Sequence, residues 1–313
     1  MSKGLRKLLA YALAVGLIVY LARGLSFHEF VSALRGVKTW WFIAASLGSV
    51  AFWFFGETFL FSKLFSYFHV PTSFREMLPG NAAQYFLQSV NQAAGGAALV
   101  TYMRRRKGVP LFSAGATMVF MSLIDFLVMG LMGLLAAILV PDSLVGKNWY
   151  YAALLTAGLG LCAWFWLRGR PSSTIGRWIY DRPSLLSFRN ARVSHYMRLI
   201  LIRAPIFAMQ GVLLYFQLLS FGVHVPFRQV MAFEPAELFL SAFPFTPAGL
   251  GVLQAVIVLG FGSYGSRAAL LTMGLAISTM GILLRLPMGI GSAGAFAREL
   301  IRGRKPQPAP QPE

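Results

Sequence analysis

The chain has 313 residues, of which 57% are hydrophobic and only 12% charged, and its mean hydropathy is +0.64. A soluble domain carries about 25% charged residues, so this composition excludes one and describes a polytopic membrane protein. The net charge of +18 then belongs to loops held against anionic headgroups rather than to nucleic-acid binding, and the single Cys162 excludes both a disulfide framework and a zinc site.

In chain order, residues 5–22 predict a first span behind Lys3, Arg6 and Lys7, uncleaved, with the N-terminus inside. Residues 39–62 predict a second span. Residues 111–140 predict a third, rich in Met and ended by Pro141-Asp142, and residues 149–167 a fourth. The segment 168–198 is polar and carries Arg168, Arg170, Arg177, Arg182, Arg189, Arg192 and Arg198. A fifth span covers 199–221 and a sixth 266–288. The tail, 291–313, is basic and proline-rich and is expected to be disordered.

Two apolar segments remain, 78–103 and 228–263, and the positive-inside bias decides what they do. With the N-terminus inside, the second span ends inside, near Lys63 and Arg75. The cluster Arg104-Arg105-Arg106-Lys107 belongs on the same side, so 78–103 enters and leaves by one face. The same accounting keeps the Arg-rich segment and the C-terminus inside only if 228–263 returns to the outside. That segment is too long for one helix across about 30 Å, and Pro244, Pro247, Gly249 and Gly251 break it. The predicted fold is all-α, with about six transmembrane helices and two re-entrant helical hairpins. Eight full spans are the alternative, and they place the Arg-rich segments outside.

The two odd segments resemble each other. Both begin His-Val-Pro, at His69 and His224. After a two-residue offset Phe74-Arg75 aligns with Phe227-Arg228, Gln84 with Glu237, Phe86 with Phe239 and Gly96 with Gly249. Each is flanked by a span on either side, which divides the chain into 1–38, a membrane domain 39–290 with halves of about 39–140 and 199–288, and the tail. An odd number of spans between the copies makes them an inverted repeat, whose broken helices point to a site at mid-membrane.

The first copy carries Asn81, Gln84, Gln88, Asn91 and Gln92 before Gly95-Gly96. At helical spacing these five carboxamides fall within an arc of about 100°, one polar stripe facing inward. They read either as interhelical hydrogen-bonding groups or as the lining of a cavity, with the cavity favoured for Gln88, Asn91 and Gln92. Ionisable residues inside the membrane are Glu57, Asp125, Glu234 and Glu237, with Arg203 and Arg285 near span ends where they can snorkel. Glu237, preceding the broken segment, is the strongest functional candidate among them. No residue is assigned a catalytic or metal-binding role, and no cofactor is implied.

The stretch FPFTPAGLGVLQ, 243–254, resembles the P-x-x-P-G-G-L-G-x-x-E signature of the lysylphosphatidylglycerol synthase transmembrane-region family. GGAALVTYMRRRKGVP, 95–110, resembles that family's first signature, and Asp125 stands where the family has an acid in the following span. Ala97 and Gln254 stand where the family has Glu, and Ala248 replaces the first Gly of its Gly-Gly pair. The resemblance covers about 38–290. It implies a flippase-like membrane domain that moves a phospholipid or polyprenyl headgroup between leaflets, and without the family's aminoacyl-transferase domain the chain is not expected to make aminoacylated lipids by itself. The expected substrate-contacting residues are Gln84, Gln88, Asn91, Gln92, Gly95, Gly96, Glu237, Pro244, Thr246, Pro247, Gly249, Gly251 and Gln254. Arg104, Arg105 and Arg106 are expected to gather anionic headgroups at the cytoplasmic face of the inner (plasma) membrane. Membrane lipids are the expected partners, a homo-oligomer is allowed, and the alternatives are a glycosyl or phosphoryl transferase on a lipid or an accessory subunit.

Overall fold

The structure is a computed structural model that describes residues 32–88, 92–182, 185–242 and 251–301. The expected first span, 5–22, lies outside the described residues, as do Asn91, Pro244, Thr246, Pro247, Ala248, Gly249 and the end of the tail. Among the described residues the chain is helical, with twelve helices. They are α1 (Thr39–Phe68), α2 (Phe74–Gln88), α3 (Gln92–Lys107), α4 (Leu111–Leu139), α5 (Leu144–Lys147) and α6 (Trp149–Leu167). The remainder are α7 (Thr174–Tyr180), α8 (Leu186–Asn190), α9 (Val193–Ser220), α10 (Phe227–Ser241), α11 (Val252–Phe261) and α12 (Arg267–Ile301).

Five of these are long and apolar enough to cross a membrane: α1, α4, α6, α9 and the part of α12 from Arg267 to Met288. They coincide with the second to sixth expected spans, and the protein is a multi-pass membrane protein. Exposed aromatic side chains mark one rim of the bundle, with Trp40 and Trp41 at the start of α1 and Trp149, Tyr150 and Tyr151 at the start of α6. Amphipathic rings of this kind sit at headgroup level. Three span boundaries differ from the sequence expectation, one of them that of α12, which runs on past 288 to Ile301 and so makes a helix of 291–301, the first part of the tail expected to be disordered. α1 runs on to Phe68, and α9 starts at Val193 rather than 199, because the His195 ring accepts a hydrogen bond from the Arg192 backbone N–H and stacks on Tyr67 with centroids 5.0 Å apart.

α1 and α9 pack antiparallel over their whole length. The Lys38 N–H donates to the Ser220 carbonyl at one end, and Tyr67 meets His195 at the other. Between these ends Gln217 Nε2 donates to Ser46 Oγ at 3.2 Å, and Ser49 Oγ donates to Gln210 Oε1. Polar contacts between spans replace water where no water is available.

Each of the two odd segments is a pair of short antiparallel helices rather than one long helix. α2 and α3 have 15 and 16 residues, about 22 and 24 Å, short of the roughly 30 Å hydrocarbon core. Their outer ends are clasped together: Lys107 Nζ lies 2.6 Å from Glu76 Oε1, and the Tyr102 hydroxyl donates to the Glu76 carbonyl. They approach closely because Gly80 lies against the Tyr102 ring, where a Cβ would come within 2.4 Å. α10 and α11 pair likewise, with the Phe233 and Phe261 rings 4.5 Å apart. α11 is entered through Gly251 at φ +87°, a conformation that favours glycine.

The packing is reciprocal between the halves. α1 packs on α9, each short entry helix (α2, α10) packs on the long helix that closes the other half (α12, α4), and each also packs on the helix before it. Two cores result. One gathers Leu60, Phe65, Met77, Leu99, Phe120 and Leu199 around the first hairpin, and the other Leu218, Val230, Phe233, Ile257, Phe261 and Leu270 around the second. Burying such side chains contributes about 1.5–3 kcal/mol each where the surroundings are water, and close packing replaces that term where they are lipid.

Candidate functional site

A cavity of about 280 Å³ opens among α1, α9, α10, α11 and α12, with Tyr85 of α2 closing one side. Its walls belong to both cores, Leu214 to one and Leu238 to the other. The lining is polar for a place inside an apolar bundle. α1 gives Ser46 and Ser49, α9 gives Gln210 and Gln217, α12 gives Ser278 and Arg285, and α10 gives Glu234, Glu237 and Ser241.

α10 delivers its acids by helical spacing: residues 234, 237 and 241 share one face, three and four positions apart. Glu237 Oε1 accepts from Ser241 Oγ at 2.8 Å. Glu234 is 1% exposed, and its Oε2 has no hydrogen-bond partner. An ionised or polar oxygen buried in that state lacks a compensating group. Across the cavity the Arg285 guanidinium lies over the Tyr85 ring, 4.5 Å from its centroid. The cavity therefore presents two carboxyl groups on one wall and a guanidinium on another.

Behind the cavity lies a second charged group. Arg203 of α9, 4% exposed, stands between Asp125 of α4 and Glu57 of α1. Its Nε is 2.7 Å from Asp125 Oδ1, an ion pair by distance without hydrogen-bond alignment, and its terminal nitrogens are 3.5 Å from Glu57 Oε1. The guanidinium is also packed over the rings of Trp53, at 4.9 Å, and Phe207, at 4.4 Å. Arg203 thus does not snorkel; it is fixed between three helices. Trp53 is shared, since it also lines the cavity.

Of the residues expected to contact substrate, Glu237 lines this cavity and the others that the structure describes do not. The carboxamide stripe is divided. Asn81 is fully buried and its Nδ2 donates to the Phe54 carbonyl and to Thr58 Oγ1, tying α2 to α1. Gln84 is buried, with Oε1 unpartnered. Gln88 packs against Gly95, where a Cβ would come within 2.3 Å of the Gln88 Cγ, while Gly96 faces open space. For Gln92 the structure describes the backbone only. Gln254 is fully buried: its Oε1 accepts from the Gly251 N–H at 2.6 Å and its Nε2 donates to the Gly274 carbonyl at 3.1 Å and to Ser278 Oγ at 3.0 Å. That side chain fastens α11 to α12.

Arg104 and Arg105 are exposed at the clasped end of the first hairpin, on the rim that also carries Lys63, Arg75 and the arginines of 168–198. Among the described residues no three His, Cys, Asp or Glu side chains converge as metal ligands would. The sequence reading missed Ser46, Ser49, Tyr85, Gln210, Gln217 and Ser278. Their signal was present as single polar residues inside apolar spans, Ser46 and Ser49 three apart and Gln210 and Gln217 seven apart, each pair on one helical face.

A model of the lysylphosphatidylglycerol synthase transmembrane region matches residues 7–291 of the chain. A search of curated proteins returned no match.

Proposed function

Because the chain belongs to the lysylphosphatidylglycerol synthase transmembrane-region family, a membrane domain linked to lipid handling, we propose that it is a lipid translocase, moving a headgroup between leaflets through the cavity among α1, α9, α10 and α12. The observation that carries this reading is the lining: Glu234, Glu237 and Arg285 around a polar space deep in an apolar bundle. Intramembrane charge is costly and is retained along substrate pathways. A headgroup with an amine cation and a phosphate satisfies both walls, the ammonium against the α10 carboxylates and the phosphate against Arg285, while its chains stay in lipid.

The two short helix pairs support an inverted repeat of re-entrant hairpins. α2 and α3 enter from the arginine-rich rim, and α10 and α11 from the rim of Lys38 and Arg228. The reciprocal packing of α2 on α12 and α10 on α4 supports the same symmetry. The arginine-rich rim then faces the cytoplasm, where Arg104 and Arg105 meet anionic headgroups.

The test is purified protein in vesicles carrying a fluorescent phospholipid in one leaflet. Transfer to the other leaflet, lost in Glu237→Gln at equal incorporation, is the expected result. Chemical turnover of the lipid, or no transfer across a panel of amine-bearing and anionic headgroups, would overturn the reading.

A further inference from the structure

The buried cluster behind the cavity holds two carboxylates against one guanidinium. If Glu57, Asp125 and Arg203 are all ionised, one negative charge is left over, with the Arg203 and Glu57 side chains only 5% and 7% exposed and that of Asp125 24%. An uncompensated buried charge is resolved by binding a counter-ion or a proton. The groups facing Glu57 are Trp53 one turn before it on α1, Tyr85 on α2, Asp125 on α4, Arg203 on α9 and Arg285 on α12. Asn81 is already committed to Phe54 and Thr58, and Arg285 lies over Tyr85 with no carboxylate within 4.0 Å among the described residues. Glu234 and Glu237 lie further off, on the α10 wall of the cavity.

From this geometry we infer that Glu57 is a proton-binding site, holding a proton while Asp125 keeps Arg203 as its counter-ion. Distance and exposure choose between the two acids: Asp125 approaches Arg203 to 2.7 Å and keeps 24% of its side chain accessible, whereas Glu57 stays at 3.5 Å with 7% accessible. The site communicates with the cavity through Trp53. That ring is at once a wall of the cavity and the surface on which Arg203 rests, one turn from Glu57 on α1. A cationic headgroup seated in the cavity against Trp53 supplies the positive charge that the cluster lacks, so the Glu57 proton leaves to cavity water as the cation takes its place, with Asp125 keeping Arg203 throughout. Lipid entry and proton release are thereby linked, which would let a proton gradient drive the movement; this linkage rests on the translocase reading, while the proton site itself does not.

Two measurements separate the claims. In the first, the infrared carbonyl stretch of protonated carboxylic acids is recorded on purified protein at neutral pH, with and without carboxyl-¹³C glutamate. The expected result is an isotope-shifted band that Glu57→Gln removes. Asp125→Asn removes it too, because Glu57 then becomes the sole partner of Arg203 and ionises. Retention of the full band in either variant overturns the proton site, and Asp125→Asn carries the test if Glu57→Gln does not fold. In the second, lipid transfer in vesicles is measured with and without an imposed pH gradient. The wild type is expected to respond to the gradient and Glu57→Gln to transfer lipid at a rate indifferent to it. A wild-type rate indifferent to the gradient, or a mutant that responds as the wild type does, overturns the coupling. Absence of transfer by the wild type under all conditions removes the translocase reading and the coupling with it, and leaves the infrared result to decide the proton site.

Discussion

The two helix pairs of this molecule have the same architecture and opposite chemistry. In the first, α2 and α3, polar side chains are turned to holding the pair in place: Asn81 binds α1, and Glu76 clasps Lys107. In the second, α10 presents Glu234 and Glu237 to a cavity, and the fastening is done by Gln254 of α11. The His-Val-Pro alignment pairs Gln84 with Glu237, and the difference of one functional group separates a buried carboxamide from a cavity-lining acid. Two helix pairs of one architecture do not need two sites; one pair can serve as the frame against which the other works.

The comparison can be broken most forcefully at the ion cluster that joins the halves. Arg203→Ala removes the counter-ion of Asp125 and the hydrogen-bond donor to Glu57 and leaves both acids without that partner. A loss of about 3–5 kcal/mol is expected, seen as a collapse of thermal stability in detergent. Arg203→Lys is expected to recover only part of it, since an ammonium cannot reach two carboxylates as a planar guanidinium can. Wild-type stability in both variants would show that the cluster is not a structural joint.

A smaller effect belongs to the frame itself. Gly80→Leu drives a side chain into the Tyr102 ring and forces α2 from α3, at a cost of about 1–3 kcal/mol. Hydrogen exchange should rise across 74–107 and remain unchanged across 227–261. A uniform rise would mean that the two pairs are not independent units.

The clasp at the rim contributes less. The Lys107 ammonium and the Ser73 N–H hold the Glu76 carboxyl down at about 2, against an ordinary value of 4.5. Its folded value lies below its unfolded one, so its contribution is present above about pH 4.5 and fades as the pH falls toward 2. Exposed pairs of this kind contribute roughly 0.2–1 kcal/mol. Glu76→Gln should flatten the acid limb of the stability profile, and an unchanged limb would contradict the clasp. Glu234→Gln should have the least effect of all on stability, or a slight stabilisation, because it removes a buried carboxyl oxygen that has no partner. A large loss there would place Glu234 in the frame.

The spans were readable because apolar runs such as 111–140 have one physical explanation, length against bilayer thickness. That the two remaining segments are broken into short helices was readable from their length and from Gly95-Gly96 and Gly251 within them. The stripe was only half readable. Spacing along a helix identifies a shared face, but it does not say which neighbour that face meets, and Asn81 meets α1 instead of a cavity. The cavity lining was not readable at all from single residues. Ser46, Ser49, Gln210 and Gln217 converge only through the antiparallel register of α1 on α9, set by contacts from Lys38–Ser220 to Tyr67–His195. Glu237 could be named in advance because a carboxyl group in a membrane is rare enough to stand alone as a signal.

The most direct test of the account compares lipid transfer by Glu237→Gln and Gln84→Met in the same vesicles, at equal incorporation. These are the positions that the sequence alignment of the two segments pairs. The account predicts that transfer is lost in Glu237→Gln and retained in Gln84→Met. Wild-type transfer in Glu237→Gln, together with loss in Gln84→Met, would contradict it and move the site to the first pair.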